Sequence, residues 1–174
     1  MTTHWAVRHC DLLDVPADVL VCSANVYLTL SGGVGGAFLL RYGTAMQEAL
    51  ADHLAQRGLK HVERGDLIVM PPFGSPYRAV LHAVAVDGFY DTTIQVVADL
   101  IRESLRHAAQ CGAETVALAA LATGYGRKSM EFFAEAVNRV IDDEVPPIRR
   151  VVVGLRGRHD VDELLAAAPR LTEA

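Results

Sequence analysis

The sequence predicts an α/β protein: a three-layer α/β/α sandwich around a mixed, mostly parallel six-stranded sheet. Three observations carry this. Short apolar runs alternate with longer helical patterns along the 174 residues. Several of the runs are apolar throughout rather than alternating, as strands are when both sheet faces are covered. No linker, low-complexity tract or internal repeat divides the chain, so residues 1–174 are expected to form a single domain.

The elements follow in order. Strands are predicted at residues 4–9, 19–24, 67–70, 79–86, 115–120 and 151–155. Thr44 precedes Gln47 by three, the spacing of a capping box, and Gly58 stops the helix that follows. Thr92 and Gln95 repeat the box, and Gly112 closes the next helix. Within it Ile94, Val97, Ile101, Leu105 and Ala108 form one apolar stripe. Phe132, Phe133, Ala136, Val137, Val140 and Ile141 form another after Arg127, which Pro146-Pro147 ends. Asp160 and Glu163 open a short helix that stops before Pro169. The segment PPFGSP, 71–76, reads as a loop.

Composition excludes several function classes. The net charge is −5, with no Lys/Arg block, against an unmodified nucleic-acid backbone as partner. No apolar run approaches the ~20 residues of a membrane span. No basic segment followed by an apolar one opens the chain, so a signal peptide is not expected. Cys10, Cys22 and Cys111 lack CxxC spacing, and reduced thiols in a cytoplasmic protein are expected. No His/Cys/carboxylate cluster has metal-ligand spacing, so no metal is expected. Oligomeric state leaves no mark in the sequence.

The chemistry concentrates in two glycine segments. LSGGVGGAF, 30–38, follows the second strand and leads into a helix. Glycine permits close approach to a ligand, and a helix start offers unpaired N–H groups with partial positive charge. ATGYGRKSM, 122–130, joins the strand at 115–120 to another helix. Two such loops at the carboxyl ends of strands in one sheet can flank a single crevice and grip a diphosphate from both sides. The first is neither a Walker loop nor a Rossmann fingerprint. Such loops also occur as plain tight turns, and spacing alone leaves both readings open.

Five segments together resemble the macro domain family: Cys10-Asp11, VCSAN (21–25), SGGVGG (31–36), VLHAV (80–84) and ATGYG (122–126). The family forms an α/β/α sandwich that binds ADP-ribose, and some members hydrolyse ADP-ribosyl linkages. The resemblance implies ADP-ribose as ligand, with no further cofactor, and ADP-ribosylated macromolecules as partners. Asp11 matches the aspartate that accepts from the adenine amino group, with Leu12 beside it. Ala24 and Asn25 match the end of the motif that meets the terminal ribose. Ser31, Gly32, Gly33, Val34, Gly35 and Gly36 would face one phosphate. Ala122, Thr123, Gly124, Tyr125 and Gly126 would face the other, with the Tyr125 ring against the terminal ribose. Arg156 falls where the family often stacks an aromatic on adenine, which a guanidinium plane can imitate. His82 reads as a satisfied core histidine and Cys22 as a buried, inert thiol.

One departure bears on activity. A hydrolytic branch of the family carries Gly-Gly-Gly-Val-Asp-Gly, and its Asp assists water attack. Gly35 stands at that place here, and Ser31 replaces the first glycine. Gln47-Glu48 resembles the Gln-Glu-Glu of the poly(ADP-ribose) glycohydrolase branch, but it lies a helix further on and is explained by capping. The expected function is therefore recognition of ADP-ribose or ADP-ribosyl groups. Hydrolysis at the terminal ribose is the first alternative, with a substrate phosphate placing the water and Asn25, Asp87 or Tyr125 assisting. A partner-binding scaffold without ligand is the second.

Overall fold

The computed structural model describes residues 2–174. The strands are β1 (His4–His9), β2 (Val19–Ala24), β3 (Leu67–Met70), β4 (Ala79–Val84), β5 (Thr115–Leu118), β6 (Arg150–Leu155) and β7 (Thr172–Glu173). They form one sheet in the order β3-β4-β2-β5-β6-β1-β7. Every pairing is parallel except β3 with β4. The sheet is thus mixed and mostly parallel as expected, but it has seven strands rather than six. The seventh pairs only two residues with β1, and both are exposed, so no apolar run marked it.

The apolar strands read as they do because they are covered. All six residues of β4 are buried, as are the first four of β2. Two strands end earlier than their apolar runs. β4 stops at Val84 and β5 at Leu118, because the residues beyond turn into the loops of the crevice. Among the described residues, no helix is long and apolar enough to cross a membrane.

Among the described residues, five α-helices flank the sheet, α1 (Gly33–Tyr42), α2 (Ala45–Gln56), α3 (Ile94–Gln110), α4 (Met130–Asn138) and α5 (Arg158–Ala167), with a short 3-10 helix at Leu12–Asp14. α3 buries Val97, Ile101, Leu105 and Ala108 of its predicted stripe, with Leu100 beside them and Ile94 only partly buried, and packs beside α4, which packs on α5. Both predicted capping boxes fail. Thr44 sits in helical conformation and donates its hydroxyl to Glu48, while Gln47 turns away to the loop before α1. The cap of α3 is Thr93, which accepts from Val96 N–H; Thr92 is buried beside it, and Gln95 donates to Asp99. α4 ends at Asn138, so Val140 and Ile141 of its stripe are buried from the following turn. α5 begins at Arg158, two residues before Asp160.

His82 and Cys22 are register partners on β4 and β2. Burial pushes the Cys22 thiol up to about 12 and the His82 imidazole down to about 4. Cys22 is buried, as expected. His82 is a core residue but incompletely satisfied: Nε2 lies 3.4 Å from Met46 Sδ on α2, and Nδ1 has no partner.

Candidate functional site

The carboxyl ends of β2 and β5 are adjacent, and both glycine loops leave the sheet there. They enclose a cavity of about 440 Å³ lined by Ser23–Asn25, Thr29, Leu30, Gly32–Gly35, Val86, Ala119, Ala120 and Ala122–Arg127. That volume lies in the range of small-molecule sites. The two loops touch: a Cβ on Gly32 would lie 2.7 Å from the Tyr125 hydroxyl. Tyr125 is half-exposed, and its ring rests 6.3 Å from that of Tyr90.

The loops carry unengaged backbone donors. The first helical bond of α1 runs from Gly36 N–H to Gly32 carbonyl, so Gly33, Val34 and Gly35 have no acceptor within the helix. Gly32 supplies no side-chain cap. In the second loop Thr123 N–H closes onto Ala120, Arg127 N–H onto Gly124 and Lys128 N–H onto Ala122. Gly124, Tyr125 and Gly126 N–H find no acceptor among the described residues. The expected donor set is therefore narrower than the sequence implied, since the amides of Gly36 and Thr123 close turns. Ala122 N–H is engaged too, with Ser23 Oγ at 3.2 Å.

One glycine is fixed by backbone contact, and a second touches a movable side chain. A Cβ on Gly126 would lie 2.4 Å from Ala122 carbonyl oxygen, and one on Gly35 would lie 2.9 Å from Leu30 Cδ2. The second contact means that the loop carboxylate of the hydrolytic branch has no room here while Leu30 keeps its place. Gly33 is different. It has φ +56° and open space where a side chain would go.

Asn25 lines the cavity, with its amide partly engaged by its own turn. Oδ1 accepts from Tyr27 N–H at 3.0 Å and Thr29 N–H at 3.4 Å, and Nδ2 donates to Thr29 carbonyl at 3.2 Å. One N–H of Nδ2 remains for a ligand. Asp87 is not in this cavity. It lies beyond Val86, accepting from Phe89 and Asp91 N–H groups, with Arg64 at 3.7 Å. An aspartate that nucleates its own turn looks in sequence the same as a solvated loop aspartate or a catalytic one.

The remaining expected residues sit along the same sheet end but outside the cavity. β1 and β6 are paired, which brings Asp11 and Arg156 together at 2.5 Å. Arg41 of α1 approaches Asp11 to 3.6 Å and holds Asp14 at 2.8 Å. Burial pulls the Asp11 carboxyl upward, but the Leu13 N–H, Arg156 and Arg41 outweigh it and hold the group below its ordinary value. Leu12 is buried against Gly154 and offers no side chain to a ligand. Ser31 and Gly36 fall outside the lining.

Several residues escaped sequence reasoning. Gln47 clamps the first loop from α2, accepting from Leu30 N–H at 2.7 Å and donating to Leu28 carbonyl at 3.0 Å. Ser23 ties the end of β2 to the second loop. Thr29, Leu30, Val86, Ala119, Ala120 and Arg127 complete the walls. Only Ser23 had a signal, as the polar residue among apolar neighbours in VCSAN.

A macro domain family model matches residues 21–137. The "Macro domain-containing protein in non 5'region" of Streptomyces griseus is 32% identical over 162 residues, covering 90% of this chain and 91% of that protein. The O-acetyl-ADP-ribose deacetylase of Citrobacter koseri is 31% identical over 145 residues, 82% of this chain and 81% of that one. Among solved structures, a variant of the Oceanobacillus iheyensis macrodomain with ADPR superposes with TM-score 0.80 at 18% identity, covering 94% of this chain and 90% of that one. The Trypanosoma brucei macrodomain in complex with ADP gives 0.78 at 17%, covering 94% and 68%. By sequence and by fold, the chain belongs to the macro domain family.

Proposed function

We propose that the protein binds ADP-ribose, free or as an ADP-ribosyl group, with the pyrophosphate between the two loops. The observation that carries the reading is a cavity with unengaged amides on both sides, three from α1 and three from the second loop, and Arg127 as the only charged side chain in its lining. Peptide donors at a helix start hold anions without cationic residues. Three strand spacings of ~4.8 Å separate β2 from β1, about 14 Å, a span fit for a nucleoside diphosphate. On this reading the terminal ribose lies at Asn25 and Tyr125, and the adenosine end reaches toward Asp11 and Arg156. Related proteins support it: the Oceanobacillus structure holds ADPR, and the Citrobacter relative is named for an ADP-ribose ester. The three free cysteines support a reducing, cytoplasmic setting.

That named relative also keeps hydrolysis open as a second reading. No carboxylate lines the cavity among the described residues, so the water would be placed by a substrate phosphate, with Asn25 or Tyr125 assisting. Calorimetry with ADP-ribose, ADP and AMP tests the first reading, and ADP-ribose should bind tightest. Equal affinity for ADP-ribose and AMP would refute the two-sided grip, and no binding of any of the three would favour a scaffold without ligand. Released ADP-ribose from O-acetyl-ADP-ribose, or from ADP-ribosylated Glu, Arg, Ser or DNA, would establish the second.

A further inference from the structure

We propose that a second cavity, across the wall from the first, receives the peptide around an ADP-ribosylated residue and prefers a basic side chain there. This rests on the ADP-ribosyl reading and extends it past the terminal ribose. The cavity, of about 520 Å³, is bounded by Tyr27, His61, Glu63, Arg64, Asp87 and Phe89. It adjoins the first through two chain segments. Asn25 lines one cavity and Tyr27 the other; Val86 lines one and Asp87 the other. Adjacent or next-adjacent residues of the chain thus line the two cavities, which places the second beside the end of the first that holds Asn25.

The far side is built to present aromatic faces. Asp87 Oδ1 accepts from Phe89 N–H at 2.8 Å and from Asp91 N–H at 2.9 Å, and Arg64 donates to Asp91 carbonyl at 3.3 Å. The turn so held displays Phe89 at 93% exposure. Tyr27 is 56% exposed, with its ring edge-on to His61 at 6.4 Å. Neither ring is needed by the core.

The charges select the occupant. Glu63 and Asp87 face one guanidinium, Arg64, with histidine counted neutral. Arg64 and two N–H groups occupy Asp87, whereas the Glu63 side chain is 82% exposed, with His61 Nδ1 at 3.9 Å. A guanidinium or ammonium can lie on an aromatic face and meet Glu63. A nucleic-acid strand could stack on the same rings, but it would bring phosphates against Glu63, whose charge no guanidinium in the lining offsets once Arg64 is paired with Asp87.

The test uses the full chain and four probes: free ADP-ribose, an ADP-ribosyl peptide with arginine beside the modified residue, its glutamate counterpart, and an ADP-ribosyl single-stranded oligonucleotide. All conjugates carry a hydrolysis-resistant linkage. The arginine peptide should bind about three- to tenfold tighter than free ADP-ribose, and the glutamate peptide should not. Phe89→Ala and Glu63→Gln should each erase that gain and leave free ADP-ribose affinity unchanged. Equal affinity for both peptides, or tighter binding of the oligonucleotide, would overturn this proposal while free ADP-ribose still binds. Loss of free ADP-ribose binding by wild-type protein would overturn the reading beneath it.

Discussion

At Gly33 a left-handed backbone meets open space in the cavity. Gly33→Glu should abolish ADP-ribose binding in calorimetry, because it sets a carboxylate against the phosphate. The forced backbone should cost about 1–2 kcal/mol of stability in a denaturant titration, leaving the fold intact. Asp11→Asn tests the other end. It removes the charge that holds Arg156, and ADP-ribose affinity should fall several-fold with little change for ribose 5-phosphate. The glycine loops were legible in sequence because local backbone chemistry selects glycine there, whereas Asn25 was legible only through the resemblance of its segment to a family motif. Leu30 and Gln47 were not. Their roles come from contacts between elements, and a leucine before a glycine loop carries no mark of what it packs against.

Gln47 shows how a helix can shape a loop it does not join. Its amide supplies two hydrogen bonds to the turn that carries Leu28 and Leu30, and Leu28 holds φ 54° there. Gln47→Ala should cost about 1–3 kcal/mol by leaving Leu30 N–H and Leu28 carbonyl unpaired. It should also weaken ADP-ribose, because the amides of α1 lose their fixed approach; calorimetry beside thermal melts separates the two effects. The same residue explains a failure of sequence reasoning. Thr44 and Gln47 have capping-box spacing, but Gln47 has better partners in the loop. The hydroxyl cap forms where the backbone just before the helix is extended, as at Ser129, which accepts from Phe132 N–H, and fails at Thr44, whose backbone is already helical. The strand pattern was read well because burial on both faces makes strands uniformly apolar; the two exposed residues of β7 lack that signature.

Across the molecule, stability should depend on pH through the buried imidazole. The His82 pKa is lowered to about 4 in the folded state, against about 6.5 unfolded. The unfolded chain therefore takes the proton first as pH falls. The stabilisation is full above pH 6.5, declines between 6.5 and 4, and amounts to about 3 kcal/mol at most. Denaturant titrations across that interval should show the slope, and His82→Gln should remove it. Salt should matter little to the ligand. The chain carries net charge −5 and the proposed grip is made by amides, so ADP-ribose affinity should change less than about threefold between 50 and 300 mM salt. A steeper dependence would mean that Arg127, Arg41 or Arg156 carries the phosphates.

The Leu30–Gly35 contact has an evolutionary corollary. A side chain at position 35 has to displace the end of the Leu30 side chain, so the two positions are coupled, and the coupling bears on whether a catalytic carboxylate can be added to this loop. Shortening Leu30 should ease Gly35→Asp by removing the side-chain end that it displaces. The double variant Leu30→Ala/Gly35→Asp should fold and gain turnover on an ADP-ribosyl ester, whereas Gly35→Asp alone should be less stable and inert.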